Sequence, residues 1–267
     1  MKINWFIKTI TQIMIRLFTI CCITISLSCQ DSDRDIYQIK IYQLENEEQE
    51  LRMDNFLKNA YIPALNRAGI NHVGIFKPVK EDSTIGKLIY VLIPFKSLNQ
   101  FEQLGSVLNE DSEYLKYGSD YIDASHDNAP YKRIESILLR SFSIMPKYGI
   151  PRHQTLPSER IYELRSYQGA TEKLYEKKVE MFTLGGESKI FMDLEFQPIF
   201  FGEVISGSIM PNLMYLTTFE NKTSQEKHWD AFRKSSDWNS LKEDKQYKNT
   251  VSKIEKLYLY PTDYSEL

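Results

Sequence analysis

One seven-residue pattern occurs twice in this chain of 267 residues. YQIKIYQ begins at Tyr37, and YELRSYQ begins at Tyr162, 125 residues later. The same interval relates three further pairs: Phe76 and Phe201, Leu88 and Leu213, Tyr90 and Tyr215. Near the ends of the two copies it falls to 120, with IES at Ile134 and IEK at Ile254. A similarity that continues through several consecutive elements indicates a duplicated domain.

Each copy of the pattern alternates as a strand does, with successive side chains on opposite faces. In the first copy the two faces hold Tyr37, Ile39 and Ile41 on one side and Gln38, Lys40 and Tyr42 on the other. In the second copy they hold Tyr162 and Leu164 on one side and Glu163, Arg165 and Tyr167 on the other. We expect the apolar face to meet helices and the mixed face to meet a second sheet or a cavity.

The element order predicted for each copy is β-α-β-β-α-β, the ferredoxin-like arrangement of an α+β fold. The first repeat spans residues 36–142 and the second spans 160–267, with a linker at 143–159 that contains three prolines. Gly185 and Gly186 predict the end of the first helix of the second repeat, because adjacent glycines are unfavourable inside a helix.

A ferredoxin-like sheet covered by helices on one side leaves its other face open. Soluble monomers seldom expose an apolar patch of that size, so each sheet needs a cover. The second copy, linked in the same chain, is at high effective concentration. We therefore expect the two sheets to face each other in an intrachain dimeric α/β barrel, with Glu163 and Arg165 near Gln38 and Lys40 across it. A monomer satisfies this arrangement, and further assembly through the outer edges stays open.

The N-terminus has the pattern of an export signal. Basic residues precede an apolar run at 17–27, which is shorter than the roughly 20 residues that cross a bilayer. LSC, ending at Cys29, resembles the lipobox of bacterial lipoproteins. We predict a lipoprotein signal peptide at 1–28 and a tether at 29–35, with lipidated Cys29 anchoring the chain in the bacterial envelope, at the outer membrane or cell surface. An ordinary cleaved signal peptide and an N-terminal membrane anchor are the alternatives.

Composition limits the remaining classes of function. All three cysteines, Cys21, Cys22 and Cys29, lie in the N-terminal segment, so no disulfide is expected in the mature chain. Removal of residues 1–28 takes away three basic residues and no acidic ones, which moves the formal charge from −3 to −6. Nucleic-acid binding is not expected, since it needs a clustered positive surface.

Several features of the second copy resemble the NIPSNAP family. They are YELRSY at Tyr162, a helix bearing His228, Trp229 and Phe232, the pair Asp237 and Trp238, and the closing LYPTDYSEL from Leu259. The resemblance covers the second copy well and the first copy loosely. It implies a dimeric α/β barrel. It implies no particular reaction, because family members are described as adaptors or stress-associated proteins and share no common chemistry.

The four histidines, His72, His126, His153 and His228, have no metal-ligand spacing, and no metal or cofactor is expected. His228 beside Trp229 fits either an active site or a histidine on a helix surface next to a core tryptophan. His72 precedes a strand, where it either reaches a cavity or lies in a plain loop.

Glu163 and Arg165, two residues apart on one strand face, fit a site for an anionic or hydroxylated ligand. They fit equally an intersheet or intersubunit salt bridge. Tyr42, Tyr167 and Tyr258 are candidates for the wall of the same space, because tyrosine suits apolar walls that need a hydrogen bond. The alternative is that they are core aromatics. The candidate ligand-binding residues are therefore Tyr42, His72, Glu163, Arg165, Tyr167, His228 and Tyr258.

No catalytic motif is present: the chain has no GxSxG, HExxH, P-loop or GxGxxG sequence. The sequence favours a non-catalytic protein that binds a small molecule or serves as a scaffold for an envelope partner. The second hypothesis is a small cofactor-independent oxygenase or isomerase of the kind that other dimeric α/β barrels host. That hypothesis comes from fold analogy alone.

Overall fold

A computed structural model describes residues 34–267. The predicted signal peptide, Cys29 and the tether up to residue 33 lie outside the described residues. Within 34–267, no helix combines the length and the apolar character needed to cross a membrane.

The described residues contain eight strands: β1 (Ile36–Gln43), β2 (Gly74–Pro78), β3 (Leu88–Phe95), β4 (Arg133–Ser141), β5 (Ile161–Gln168), β6 (Gln197–Ser206), β7 (Asn212–Phe219) and β8 (Lys253–Pro261). The α-helices of the first half are α1 (Glu47–Phe56), α2 (Ile62–Arg67), α3 (Leu98–Glu110), α4 (Ser112–Tyr117) and α5 (Ser119–Ile122), with a π-helical turn at Leu57–Tyr61. Those of the second half are α6 (Glu172–Phe182), α7 (Glu187–Asp193), α8 (Lys222–Lys234) and α9 (Ser236–Glu243), and 3-10 turns lie at Pro157–Glu159 and Lys245–Tyr247.

The eight strands close into one antiparallel barrel with the order β1-β3-β2-β8-β5-β7-β6-β4. Each half contributes a four-stranded sheet, and the two sheets join through the pairs β2–β8 and β4–β6. Helices of each half cover the outside of its own sheet. The predicted α+β fold is confirmed: two ferredoxin-like repeats form a dimeric α/β barrel within one chain.

The barrel interior is a continuous apolar core built from both repeats. Tyr37 and Ile39 of β1 meet Tyr162 and Leu164 of β5 in this cluster. An eight-stranded barrel is just wide enough for side chains to fill, so its interior behaves as a packed core. The apolar strand faces therefore point into the barrel.

This arrangement reverses the predicted roles of the two strand faces. Gln38, Lys40, Glu163 and Arg165 point outward, between the sheets and the helices, and do not approach one another across the barrel. A charged group in the filled interior would lose water without gaining a partner. Helices on the outside can supply such partners, and this decides which face is turned inward.

The interval of 125 residues does not relate structurally equivalent positions in the middle of the repeats. Ile41 pairs with Tyr90, and its counterpart Ser166 pairs with Met214, so Tyr90 corresponds to Met214 and the interval there is 124. A shift of one residue moves a strand side chain to the opposite face. Tyr90 accordingly lies in the barrel, whereas Tyr215 packs under the helices.

The two ends of the barrel differ. At one end the linker crosses the opening: Gly149 donates a backbone hydrogen bond to Ile199 (2.7 Å), and Tyr148 packs against the interior core. The C-terminal Leu267 is buried at the same end. The opposite end, where β1 and β5 finish, opens into a cavity of about 450 Å3.

Candidate functional site

The polar face of β5 carries a buried charge network. The Glu163 side chain is fully buried. One of its oxygens accepts from Arg165 Nε at 2.6 Å. The other accepts from Gln225 Nε2 at 2.9 Å and Trp229 Nε1 at 2.6 Å. Both oxygens of the carboxylate thus accept hydrogen bonds, as a buried carboxylate requires.

Arg165 lies between this carboxylate and the indole of Trp229. Its guanidinium carbon stands 3.5 Å from the centre of the Trp229 ring, and Nη1 donates to Tyr167 Oη at 3.2 Å. Tyr167 in turn hydrogen-bonds Tyr215 Oη at 3.1 Å. The guanidinium has five N–H donors, and at least two of them have no partner among the described residues.

The charge state of Arg165 follows from its surroundings. Burial alone would lower the pKa of this guanidinium, but the neighbouring Tyr215, Tyr167 and Glu163 act in the opposite direction and raise the net pKa above its ordinary value. Arg165 therefore stays a cation, oriented by stacking and hydrogen bonding, with donors still available.

Helix α8 brings Gln225 and Trp229 to the network. Asn221 caps the helix by accepting from the Ser224 backbone N–H at 2.9 Å. Gln225 and Trp229 are four residues apart, so they lie one above the other on the face that meets β5. Sequence reasoning singled out Trp229 as part of a family feature and did not identify Gln225.

A second buried ion pair depends on the two glycines. Helix α6 ends at Phe182, as Gly185 and Gly186 predicted, and Gly186 has φ +96° at the start of α7. A β-carbon on Gly185 would lie 2.7 Å from the Met181 carbonyl oxygen. The break places Glu187 at the first position of α7, where its carboxylate pairs with buried Lys178 of α6. This pair was not anticipated.

The two networks border one cleft of about 490 Å3 between β5, β8 and helices α6 to α9. Six cationic side chains line it: Arg165, Lys178, Arg233, Lys242, Lys248 and Lys256. Glu187 is the one carboxylate in the lining, and it is bound to Lys178. The walls are aromatic, from Tyr167, Trp229, Phe232, Trp238 and Tyr247. We call this space the cationic cleft.

The structure brings four of the seven candidate residues together. Glu163, Arg165 and Tyr167 share the network, and Tyr258 pairs with Glu163 across β5 and β8. Lys222 lies 4.4 Å above the Tyr258 ring. The strand pattern identified these residues, although it placed them on the inside of the barrel.

The other three candidates lie elsewhere. Tyr42 is buried in the helix-covered core of the first repeat, against Tyr121 and Tyr131. The His72 ring lies beside Tyr148 at the linker end of the barrel, with the ring centres 5.2 Å apart and the planes tilted by 45°. His228 Nδ1 donates to the Ser224 carbonyl oxygen (2.7 Å), and the ring lines a separate hollow of about 670 Å3. Among residues 34–267, no group of three or more His, Cys, Asp or Glu side chains is arranged to hold a metal ion.

The first repeat lacks a comparable network. Gln38 stands where the second repeat has Glu163, and Lys40 stands where it has Arg165. The Lys40 ammonium lies about 5 Å from the rings of Tyr42 and Tyr61 and has no carboxylate partner among the described residues. Burial lowers the pKa of Lys40 to about 8.

We expect Glu163→Gln to lower the free energy of unfolding by about 3 kcal/mol, because it leaves the buried Arg165 charge without its counter-ion. Chemical denaturation at pH 7 measures this. The double variant Glu163→Gln/Arg165→Met should recover part of the loss. Glu243→Gln, which breaks an exposed pair with Lys248, is the control and should change little. A negligible effect of Glu163→Gln would contradict the role of the network.

Lys40→Met should raise the free energy of unfolding at pH 7 by about 1–2 kcal/mol, since it removes a charge that burial disfavours. Between about pH 8 and 10.5 the unfolded wild-type chain binds more protons at Lys40 than the folded chain, so wild type gains stability as pH rises. The difference between the two proteins should therefore shrink over that range. Denaturation midpoints at pH 7, 8.5 and 10 test this, with exposed Lys116→Met as the control at pH 7. A wild type that is the more stable protein at pH 7 would refute it.

Solved structures share the fold over most of this chain. A candidate monooxygenase from Lactobacillus acidophilus NCFM superposes with a TM-score of 0.56 at 12% identity, covering 85% of this chain and 94% of that chain. An anthrone oxidase-like protein has a TM-score of 0.50 at 9% identity, covering 86% of this chain and 92% of that chain. Identities this low establish the fold alone. No curated protein is significantly similar to the chain in sequence.

The family similarity lies in the second repeat. A NIPSNAP family protein from Agrobacterium tumefaciens str. C58 is 17% identical, covering 40% of this chain and 98% of that chain, with a TM-score of 0.36. Residues 162–266 match the NIPSNAP family itself, over the segment that runs from β5 past β8 and contains the cationic cleft. The second repeat is therefore similar to the NIPSNAP family.

Proposed function

We propose that this protein is a non-catalytic binding protein that takes an anionic small molecule into the cationic cleft and is held at the bacterial envelope by lipidated Cys29. The observation that carries the ligand class is the lining of the cleft. Six cations and one already paired carboxylate border a space with aromatic walls.

The charge of the cleft contrasts with that of the whole chain. The full sequence has a formal charge of −3, so a local excess of cations is not a consequence of composition. Lys242 and Lys256 have no ion-pair partner among the described residues, and Arg165 keeps free donors. Clefts lined by one sign of charge concentrate ligands of the opposite sign.

The size and walls of the cleft suit a small organic anion. Ligand pockets usually have volumes of about 300–1,000 Å3, with apolar walls and a few polar groups that fix orientation. Here Arg165, held flat against Trp229, presents planar donors of the kind that match carboxylate or phosphate. Phe232 and Trp238, with ring centres 4.7 Å apart, offer an apolar surface for the rest of the molecule.

The same contacts favour binding over catalysis. A general base needs a free lone pair within reach of the substrate. Both oxygens of Glu163 accept hydrogen bonds within the protein, and Glu187 is paired with Lys178. The described lining of the cleft contains no histidine, aspartate or cysteine.

The alternative is a cofactor-independent oxygenase or isomerase. It is favoured by the similar folds of the solved structures described as a candidate monooxygenase and an anthrone oxidase-like protein. Sustained oxygen uptake by the purified protein with anthrone, abolished by Arg165→Met but not by Lys116→Met, would support this alternative over a binding protein.

Two probes that share a ring but differ in charge test the anion cleft. Naphthalene-2-carboxylate should bind at least tenfold more tightly than naphthalen-2-ylmethanamine, as measured by calorimetry in low salt. Arg233→Glu/Lys242→Glu should weaken carboxylate binding at least tenfold, which is about 1.4 kcal/mol. Lys116→Glu in the first repeat is the control. Equal affinity for the two probes, or an unchanged double variant, would refute the proposal.

The envelope anchor has its own test. If Cys29 is the lipidated residue, globomycin should leave an unprocessed precursor, and Cys29→Ser should release the protein from the membrane fraction or mislocalise it. Immunoblots of fractionated cells measure both effects, and Cys22→Ser is the matched control. Normal processing of the Cys29→Ser variant would indicate an ordinary signal peptide instead.

A further inference from the structure

The open end of the barrel holds a second cavity, of about 450 Å3, on the opposite side of β5 from the cationic cleft. Its apolar floor comes from both repeats, with Ile41 and Ile137 from the first and Leu164, Met214 and Leu257 from the second. The linker covers the far end of the barrel. We call this cavity the barrel mouth.

The two repeats contribute equivalent positions to the barrel mouth, and two of these positions differ in chemistry. Glu135 and Glu255 correspond to each other, as do Ile137 and Leu257. By contrast, Ile41 of the first repeat corresponds to Ser166 of the second, and Tyr90 corresponds to Met214. In each of these two pairs, one repeat has an apolar side chain and the other has a hydroxyl group, so the otherwise apolar floor carries the hydroxyls of Tyr90 and Ser166.

Two polar side chains of this lining lack a full set of partners in the described part of the protein, and their unpaired atoms reach the surface of the cavity. The Tyr90 side chain is 8% exposed, and its hydroxyl makes no hydrogen bond to another described residue. Asn212 is 3% exposed; its oxygen accepts from Ser166 Oγ at 3.0 Å, while its amide N–H groups have no partner in the described part of the chain. These two atoms are therefore free to hydrogen-bond water or a ligand that enters the cavity.

The rim sets the charge of what can enter. Glu135 and Glu255 stand at the mouth, with Glu135 held by Ser208 Oγ at 2.5 Å and Glu255 paired with exposed Lys253. Burial, together with the carboxylates of Asp82, Glu135 and Glu255, raises the pKa of Tyr90, so the phenol stays protonated. Lys256 lies at the edge between the mouth and the cleft. A carboxylate ligand would meet like charge here without the cluster of cations that the cleft provides.

We propose that the barrel mouth is a second binding site, which takes a small uncharged molecule with an apolar body and one hydrogen-bonding head group, such as a hydroxyl. The body rests on the floor formed by both repeats. The head group bonds to Tyr90 Oη and to the free amide N–H of Asn212. Apart from Lys256 at their shared edge, the site and the anion cleft have no described lining residue in common, because they lie on opposite faces of β5.

Matched probes test the proposal with the whole mature chain labelled at its methionine methyl groups. 4-Propylphenol should shift the Met214 methyl resonance, which Met214→Leu assigns, and 4-propylbenzoate should bind at least tenfold more weakly. Tyr90→Phe should weaken propylphenol binding about fivefold. Leu257→Trp, which fills the cavity, should abolish binding. Exposed Tyr117→Phe is the control, and Arg233→Glu/Lys242→Glu should leave propylphenol binding unchanged.

Three results would overturn the proposal. They are an unshifted Met214 resonance at saturating propylphenol, equal or tighter binding of the benzoate, and undiminished binding by Leu257→Trp. Far-UV circular dichroism and a melting curve establish that each variant is folded. If Leu257→Trp does not fold, Asn212→Leu replaces it, with an expected loss of at least fivefold, and unchanged affinity in that variant overturns the proposal.

Discussion

Closure of the barrel is the constraint on which the rest of the structure depends. Each ferredoxin-like sheet has one face covered by its own helices and one face that needs a cover. The linked second repeat supplies that cover, and Tyr37, Ile39, Tyr162 and Leu164 become a shared core. Because the eight-stranded interior is filled by side chains, neither repeat can vary its inward face without affecting the other. The barrel is thus one cooperative core and not two domains in loose contact.

Closure also decides where chemistry can be placed. With the interior filled, polar residues on the strands survive only where helices bring partners to them or where the barrel is open. The first case gives the Glu163 network, in which α8 supplies Gln225 and Trp229. The second case gives the barrel mouth, where Tyr90 and Asn212 lie at the end that the linker does not cover. The two proposed sites therefore lie at the two kinds of place where a packed barrel can hold polar strand residues, and they are on opposite faces of β5.

Duplication has left the two repeats alike in backbone and different in charge. In the second repeat, the Arg165 side chain contacts a buried carboxylate and an indole ring. Lys40 occupies the equivalent position in the first repeat and contacts tyrosine rings instead. The break at Gly185 and Gly186 adds the Lys178–Glu187 pair beside the cleft. The cation-rich cleft and the family match both lie in the second repeat, where we propose the ligand site, and the first repeat completes the barrel.

The sequence by itself determined the duplication, the order of elements and the closed barrel, because these follow from local periodicity and from the need to cover an apolar sheet face. It also grouped Glu163, Arg165 and Tyr167 correctly on one strand face. It did not determine which face points inward, and the constant interval equated Tyr90 with Tyr215 although they lie on opposite sides of the barrel wall. Only the tertiary structure decided these points. The direction of a face depends on partners far away in the chain, such as Trp229, and strand register depends on pairing, where a slip of one residue exchanges inside and outside.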